Sequence, residues 1–155
     1  NMLATMADAP AVLAGYLGLS RALSHGTLRG KLREQVALAV SETNGCTYCL
    51  AAHTSSGAKM GLTPEEILDA RRGQANDPKT ATVLTFALAV MHTHGQIADG
   101  DLAAVRAAGF TDEEVLEIIA NVALMTFSNY TNIVAATELD FPPAEPLPEK
   151  AQARP

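Results

Sequence analysis

Apolar residues recur at helical spacing along most of this chain, and glycine, proline and capping residues divide the pattern into blocks. The first block opens at Asp8-Ala9-Pro10 and runs toward Leu23, with apolar residues on more than one face, which predicts burial on two sides. Ser24-His25-Gly26 closes it. A second helix is expected from about Leu28 to Thr43, with Leu32, Val36, Ala39 and Val40 on one stripe and Glu34 on its flank. Asn44-Gly45 interrupts, and a third helix from Cys46 to about Lys59 ends at Gly61. Thr63-Pro64-Glu65-Glu66 combines an N-cap, a first-turn proline and a capping-box glutamate, starting a helix to Arg72. After the linker Gly73 to Pro78, the stretch from Lys79 to about His92 is apolar nearly all round, the pattern of a central helix, and Gly95 ends it. A short helix from Asp99 or Gly100 reaches Ala108. Thr111-Asp112-Glu113-Glu114 then caps a final helix as far as Glu138. No segment alternates as a half-buried strand does, so the fold class is all-α.

The string Gly61-Leu62-Thr63-Pro64-Glu65-Glu66-Ile67-Leu68 is matched 48 residues later by Gly109-Phe110-Thr111-Asp112-Glu113-Glu114-Val115-Leu116. An internal helical repeat explains this, and so does the same capping chemistry at two ordinary helix starts. Five of the eight prolines fall in residues 142–155, which neither a helix nor a central strand tolerates. The expected organisation is one helical domain over 1–141 and an extended C-terminal arm over 142–155, loose or laid on a neighbouring subunit.

With 155 residues, 48% of them hydrophobic, the chain can build a core without covalent staples. A net charge of −6 with no long Lys/Arg cluster argues against nucleic acid or an anionic membrane as partner. The first residues lack a basic segment followed by an apolar core, and the longest apolar run, near Ile118 to Phe127, is too short to span a bilayer. A cytoplasmic location is the expectation.

The candidate chemistry lies between Glu34 and His53. Cys46 and Cys49 follow Asn44-Gly45 and so fall in the first turn of a new helix, where free N–H groups and the dipole favour thiolate by about 0.3–1 kcal/mol. Three residues apart, they share a face at an axial offset of roughly 4.5 Å, close enough to form a disulfide. His53, four residues beyond Cys49, reaches that sulfur from the next turn and leaves its other ring nitrogen for a carboxylate on a packed helix. Glu34 is the candidate. Helix position alone favours Cys46 as the more acidic thiol, whereas proximity of the base favours Cys49.

The full string E-x(11)-C-x-x-C-x(3)-H, carried by Glu34, Cys46, Cys49 and His53, resembles the active-site signature of the AhpD-like alkylhydroperoxidases, in the same superfamily as carboxymuconolactone decarboxylase. The stretches from Phe127 to Asn132 and from Thr137 to Pro142 also resemble the C-terminal segment of its peroxidase-related branch. The resemblance covers most of Leu28 to Pro142. It implies a compact multi-helix thiol peroxidase, with Cys49 as peroxidatic cysteine, Cys46 as resolving cysteine, and His53 with Glu34 as proton relay. It also implies a homo-oligomer and a dihydrolipoyl group or thioredoxin-like protein as reductant, with no cofactor beyond the redox-active disulfide. The chain departs from the better-studied members at Tyr48, where histidine is frequent; a tyrosine donates a hydrogen bond but is no base near neutral pH. Tyr48 is a candidate pocket residue.

Alternatives for the same residues are a general disulfide oxidoreductase or redox sensor, a zinc site of the two cysteines with His53 and Glu34, a small buried apolar face, and the decarboxylase activity. Elsewhere, His25, His92 and His94 read as surface residues near helix ends, and Met60, Met91 and Met125 as core filler. Asn129 and Asn132, on one face of the last helix, read as subunit-contact or surface residues.

Overall fold

The computed structural model describes residues 1–147 and contains, among them, eight helices and no strand. In chain order these are α1 (Met2–Ala7), α2 (Pro10–Ser24), α3 (Gly30–Thr43), α4 (Thr47–Lys59), α5 (Pro64–Arg71), α6 (Pro78–His92), α7 (Asp99–Ala107) and α8 (Asp112–Val134). The capping boxes at Thr63 and Thr111 form as the sequence predicts, each hydroxyl accepting the N–H of the glutamate three residues on. The prolonged end of α8 does not form. Ala136 takes a positive φ of 48°, and the Ala136 and Thr137 N–H groups return to the Ile133 and Asn132 carbonyls. This is a Schellman closure made without glycine, so the usual stop signal is missing from the sequence.

The centre of the fold is α3, not the more hydrophobic α6. Every residue from Gln35 to Ser41 is buried, and α3 packs against α4, α5, α6 and α8. Its alanines and valines let four neighbours approach, and its Ser41 hydroxyl is paired with Asn129. On α6, Val83, Leu84, Phe86 and Ala87 enter the core, whereas Thr85 is exposed and Leu88, Val90 and Met91 are half-buried.

Two further expectations change. Only Leu23 of α2 is buried; α1 and α8 pack against this helix and leave its Val12, Leu17 and Leu19 exposed. Met60 is 44% exposed at the C-cap of α4, while Met125 is core.

The chain after α8 turns back over the cysteine helix. Phe141 sits edge-on to Tyr48 with ring centroids 5.9 Å apart, and the Glu145 carbonyl accepts from buried Arg71 at 2.7 Å. The first part of the proline-rich arm thus finds partners on its own chain; residues 148–155 of that arm lie outside the described residues. Among the described residues no helix is long and apolar enough to cross a membrane.

Candidate active site

The α3–α4 junction places the cysteines. Gly45, at φ 69°, ends α3, with its N–H bonded to the Glu42 carbonyl and the next N–H, that of Cys46, bonded to the Ser41 carbonyl at 3.0 Å. An L-residue with a side chain adopts that φ at a penalty, which is why Asn-Gly precedes the pair. Cys46 is in turn the N-cap of α4: its sulfur accepts the Cys49 N–H at 3.3 Å. One residue therefore closes one helix and opens the next. The two sulfurs are joined as a disulfide, with Cα atoms 5.3 Å apart, and Cys46 and Cys49 are 1% and 3% exposed.

On the following turn of α4, His53 meets α3. Its Nδ1 lies 2.9 Å from Glu34 Oε2, and the Ser56 hydroxyl donates to the same oxygen. The two helices come close here because Gly57 has no side chain; a Cβ there would stand 3.0 Å from Leu62 and 3.9 Å from Glu34. Burial pushes the Glu34 carboxyl up, but its bonds to His53 and Ser56 and the charges of His53 and Arg33 outweigh this and hold it below its ordinary value. An ionised carboxylate only accepts, so His53 Nδ1 is the donor in this bond, and Nε2 is the ring nitrogen not engaged with Glu34. Ser56 went unnamed in the sequence analysis; its signal is the i+3 step from His53 on the same helix.

Tyr48 is buried and forms part of the pocket wall. Its hydroxyl donates to Asp140 Oδ2 at 2.7 Å and accepts the Met2 N–H at 3.3 Å. Burial and the Asp140 carboxylate raise its pKa, so it remains a neutral donor. Tyr48, Cys49 and His53 line a cavity of about 500 Å³ whose other walls include Met2, Tyr16, Leu17 and Phe141.

The last helix supplies what the sequence analysis placed at a surface or subunit contact. Asn129 and Asn132 are 0% and 3% exposed within the chain. Asn129 accepts from Asn44 at 2.9 Å and donates to Ser41 at 3.2 Å, tying α8 to the end of α3. Asn132 Nδ2 donates to Cys49 Sγ at 3.3 Å and to the Ser128 carbonyl at 2.9 Å. Of the four side chains of the zinc alternative, Cys46 and Cys49 are joined to each other and His53 is hydrogen-bonded to Glu34.

Comparison with known proteins bears on the family and the fold. Residues 8–91 match the profile of the Carboxymuconolactone decarboxylase family. Over 59 residues the chain is 30% identical to YdfG, an uncharacterised protein of Bacillus subtilis (strain 168); that match takes in 38% of this chain and 40% of the relative. Among solved structures, the alkylhydroperoxidase AhpD core of a peroxidase-related protein from Ralstonia eutropha JMP134 superimposes with a TM-score of 0.78 at 26% identity, over 91% of this chain and 75% of that one. The debrominase Bmp8 gives a TM-score of 0.79 at 18% identity, over 90% and 77%. The second likeness is one of fold.

Proposed function

Because the chain belongs to the carboxymuconolactone decarboxylase family, we propose that it is a thiol-dependent peroxidase of the alkyl hydroperoxide reductase type, working through the Cys46–Cys49 pair. The observation that carries this is the Glu34–His53 hydrogen bond one helical turn from a buried, joined cysteine pair. In the reduced protein His53 Nε2 takes the Cys49 proton, and Glu34 stabilises the imidazolium that results. The thiolate attacks the terminal peroxide oxygen, the O–O bond breaks, and the departing alkoxide receives the proton back from His53. Cys49 is then a sulfenic acid. Cys46 attacks its sulfur, water leaves, and the disulfide closes before further oxidation. Two electrons from an external dithiol, a dihydrolipoyl group or a thioredoxin-like protein, reopen it.

The apolar walls Met2, Tyr16, Leu17 and Phe141 fit an organic hydroperoxide better than hydrogen peroxide. We place this cycle in the cytoplasm, which supplies thiol reductant. A homo-oligomer belongs to the same proposal: Leu116, Ile119, Phe127, Tyr130 and Val134 form an exposed apolar stripe along α8, and light scattering of the purified protein reads the subunit number.

The second reading, a disulfide oxidoreductase or redox sensor, draws on the near-complete burial of both sulfurs. Stopped-flow mixing of the reduced protein with hydrogen peroxide and with an organic hydroperoxide separates the two. Rapid loss of two thiols per chain, abolished by Cys49→Ser and diverted to a trapped sulfenic acid in Cys46→Ser, supports the peroxidase. Slow oxidation indifferent to the peroxide, beside fast exchange with dithiols, leaves the second reading.

A further inference from the structure

Tyr48 borders two spaces. Besides the cavity shared with Cys49 and His53, it lines a separate one of about 310 Å³ whose walls include Gly45, Cys46, Thr47, Asn132 and Thr137. The division is clean at the disulfide: Cys49 borders the larger space and Cys46 the smaller. Asn132 links them. Its Nδ2 donates to Cys49 Sγ, whereas its Oδ1 is buried and has no hydrogen-bond partner among the described residues. A buried amide oxygen without a donor marks a place where a donor can arrive.

We propose that the smaller cavity is the binding site of the thiol reductant, and that peroxide and reductant reach the disulfide from opposite sides. The ligand is a slender thiol, small or carried on a flexible arm, because Cys46 is 1% exposed and a thiol flush with a protein surface does not reach it. Its S–H donates to Asn132 Oδ1 on binding. After deprotonation its sulfur attacks Cys46 Sγ, the Cys46–Cys49 bond breaks, and the electron pair leaves on Cys49. The Cys49 N–H that donates to Cys46 Sγ favours the opposite polarity. Against that single donor, Cys49 has the Asn132 N–H and, in its own cavity, the His53–Glu34 pair. The product is a mixed disulfide between the reductant and Cys46. A second thiol of the same dithiol attacks the reductant sulfur, releasing Cys46 and the oxidised reductant. The two protons given up by the dithiol end on Cys46 and Cys49.

This inference rests on the dithiol cycle proposed above, and its test uses no peroxide, so failure of peroxide turnover and failure of the inference are separable. The oxidised protein is mixed with the monothiol 2-mercaptoethanol, quenched in acid at short times, alkylated, digested and sequenced by fragmentation mass spectrometry. The expected result is a mercaptoethanol adduct on Cys46 with the alkyl group on Cys49, in at least tenfold excess over the reverse. Thr47→Trp, at an exposed position lining the smaller cavity, is expected to slow reduction at least tenfold. A thioredoxin with its second active-site cysteine replaced by serine is expected to form adduct more slowly than the monothiol at equal concentration. An adduct on Cys49, an even distribution, no adduct, wild-type reduction of Thr47→Trp, or faster trapping by thioredoxin would each overturn the proposal.

Discussion

Replacing Glu34 by glutamine removes the charge from the proposed relay and keeps its shape. In the native site the Glu34 oxygen accepts from His53 Nδ1 at 2.9 Å and also from Ser56, and a glutamine carbonyl can accept both. The side chains of His53 and Glu34 are 21% and 13% exposed, so water screens the pair only in part. A hydrogen bond to an ionised group is worth about 1.5–3 kcal/mol and a neutral one about 0.5–1.5 kcal/mol. The difference, about 1–1.5 kcal/mol, is the support Glu34 gives to the imidazolium, and it corresponds to roughly a tenfold change in proton transfer from Cys49. The assay is the second-order rate of thiol loss on rapid mixing of reduced protein with an organic hydroperoxide, across pH. At neutral pH, Glu34→Gln is expected to react about tenfold more slowly than wild type. The gap should narrow in alkali, where Cys49 ionises without help. Glu34→Ala, which leaves His53 and Ser56 without an acceptor, should lose more. A wild-type rate for Glu34→Gln, or a deficit that stays constant with pH, would refute the relay, provided urea unfolding shows both variants folded.

Other perturbations bear on the scaffold. Glu34 and Glu117 are both held below the ordinary carboxyl value of 4.5: burial raises each, and the hydrogen bonds from His53 and Ser56, or from Leu28 and Thr27, together with nearby charge, prevail. Their stabilisation is therefore complete above the unfolded value and lost as pH falls through the lower folded values. Urea midpoints should decline on acidification below about 4.5, and Glu117→Gln should flatten that decline; a parallel curve would exclude Glu117 as a contributor. Asn129→Leu leaves Ser41 and Asn44 without their partner and is expected to destabilise by about 2–4 kcal/mol in urea unfolding, where less than about 0.5 kcal/mol would show that water replaces it. Gly26→Ala puts a methyl group into the Glu117 carboxylate that receives the Thr27 and Leu28 N–H groups. A loss of about 1–2 kcal/mol is expected, and the double variant with Glu117→Ala should lose less than the sum of the singles.

Much of this molecule is written in short-range signals. Capping boxes at Thr63 and Thr111, prolines at helix starts and Asn44-Gly45 ahead of the cysteines act within one turn of backbone, so seven of the eight helices and the Cys46, Cys49, His53 alignment are legible from the chain alone. The pairing of His53 with Glu34 is legible as well, because one helix crossing links them and the four-position string is specific. What was missed lacks such signals: α1 has no side-chain cap, and α8, ending at Val134, is closed by a positive φ at Ala136 without glycine. Tertiary structure alone decided which helix is central, since hydropathy favours α6 while small side chains and the Ser41–Asn129 pair admit α3 to the middle. It alone decided that Asn132, 83 residues from Cys49, touches the disulfide. A polar residue on a helix looks the same in sequence whether water or a buried sulfur satisfies it, and only the packing of α8 against α3 and α4 says which.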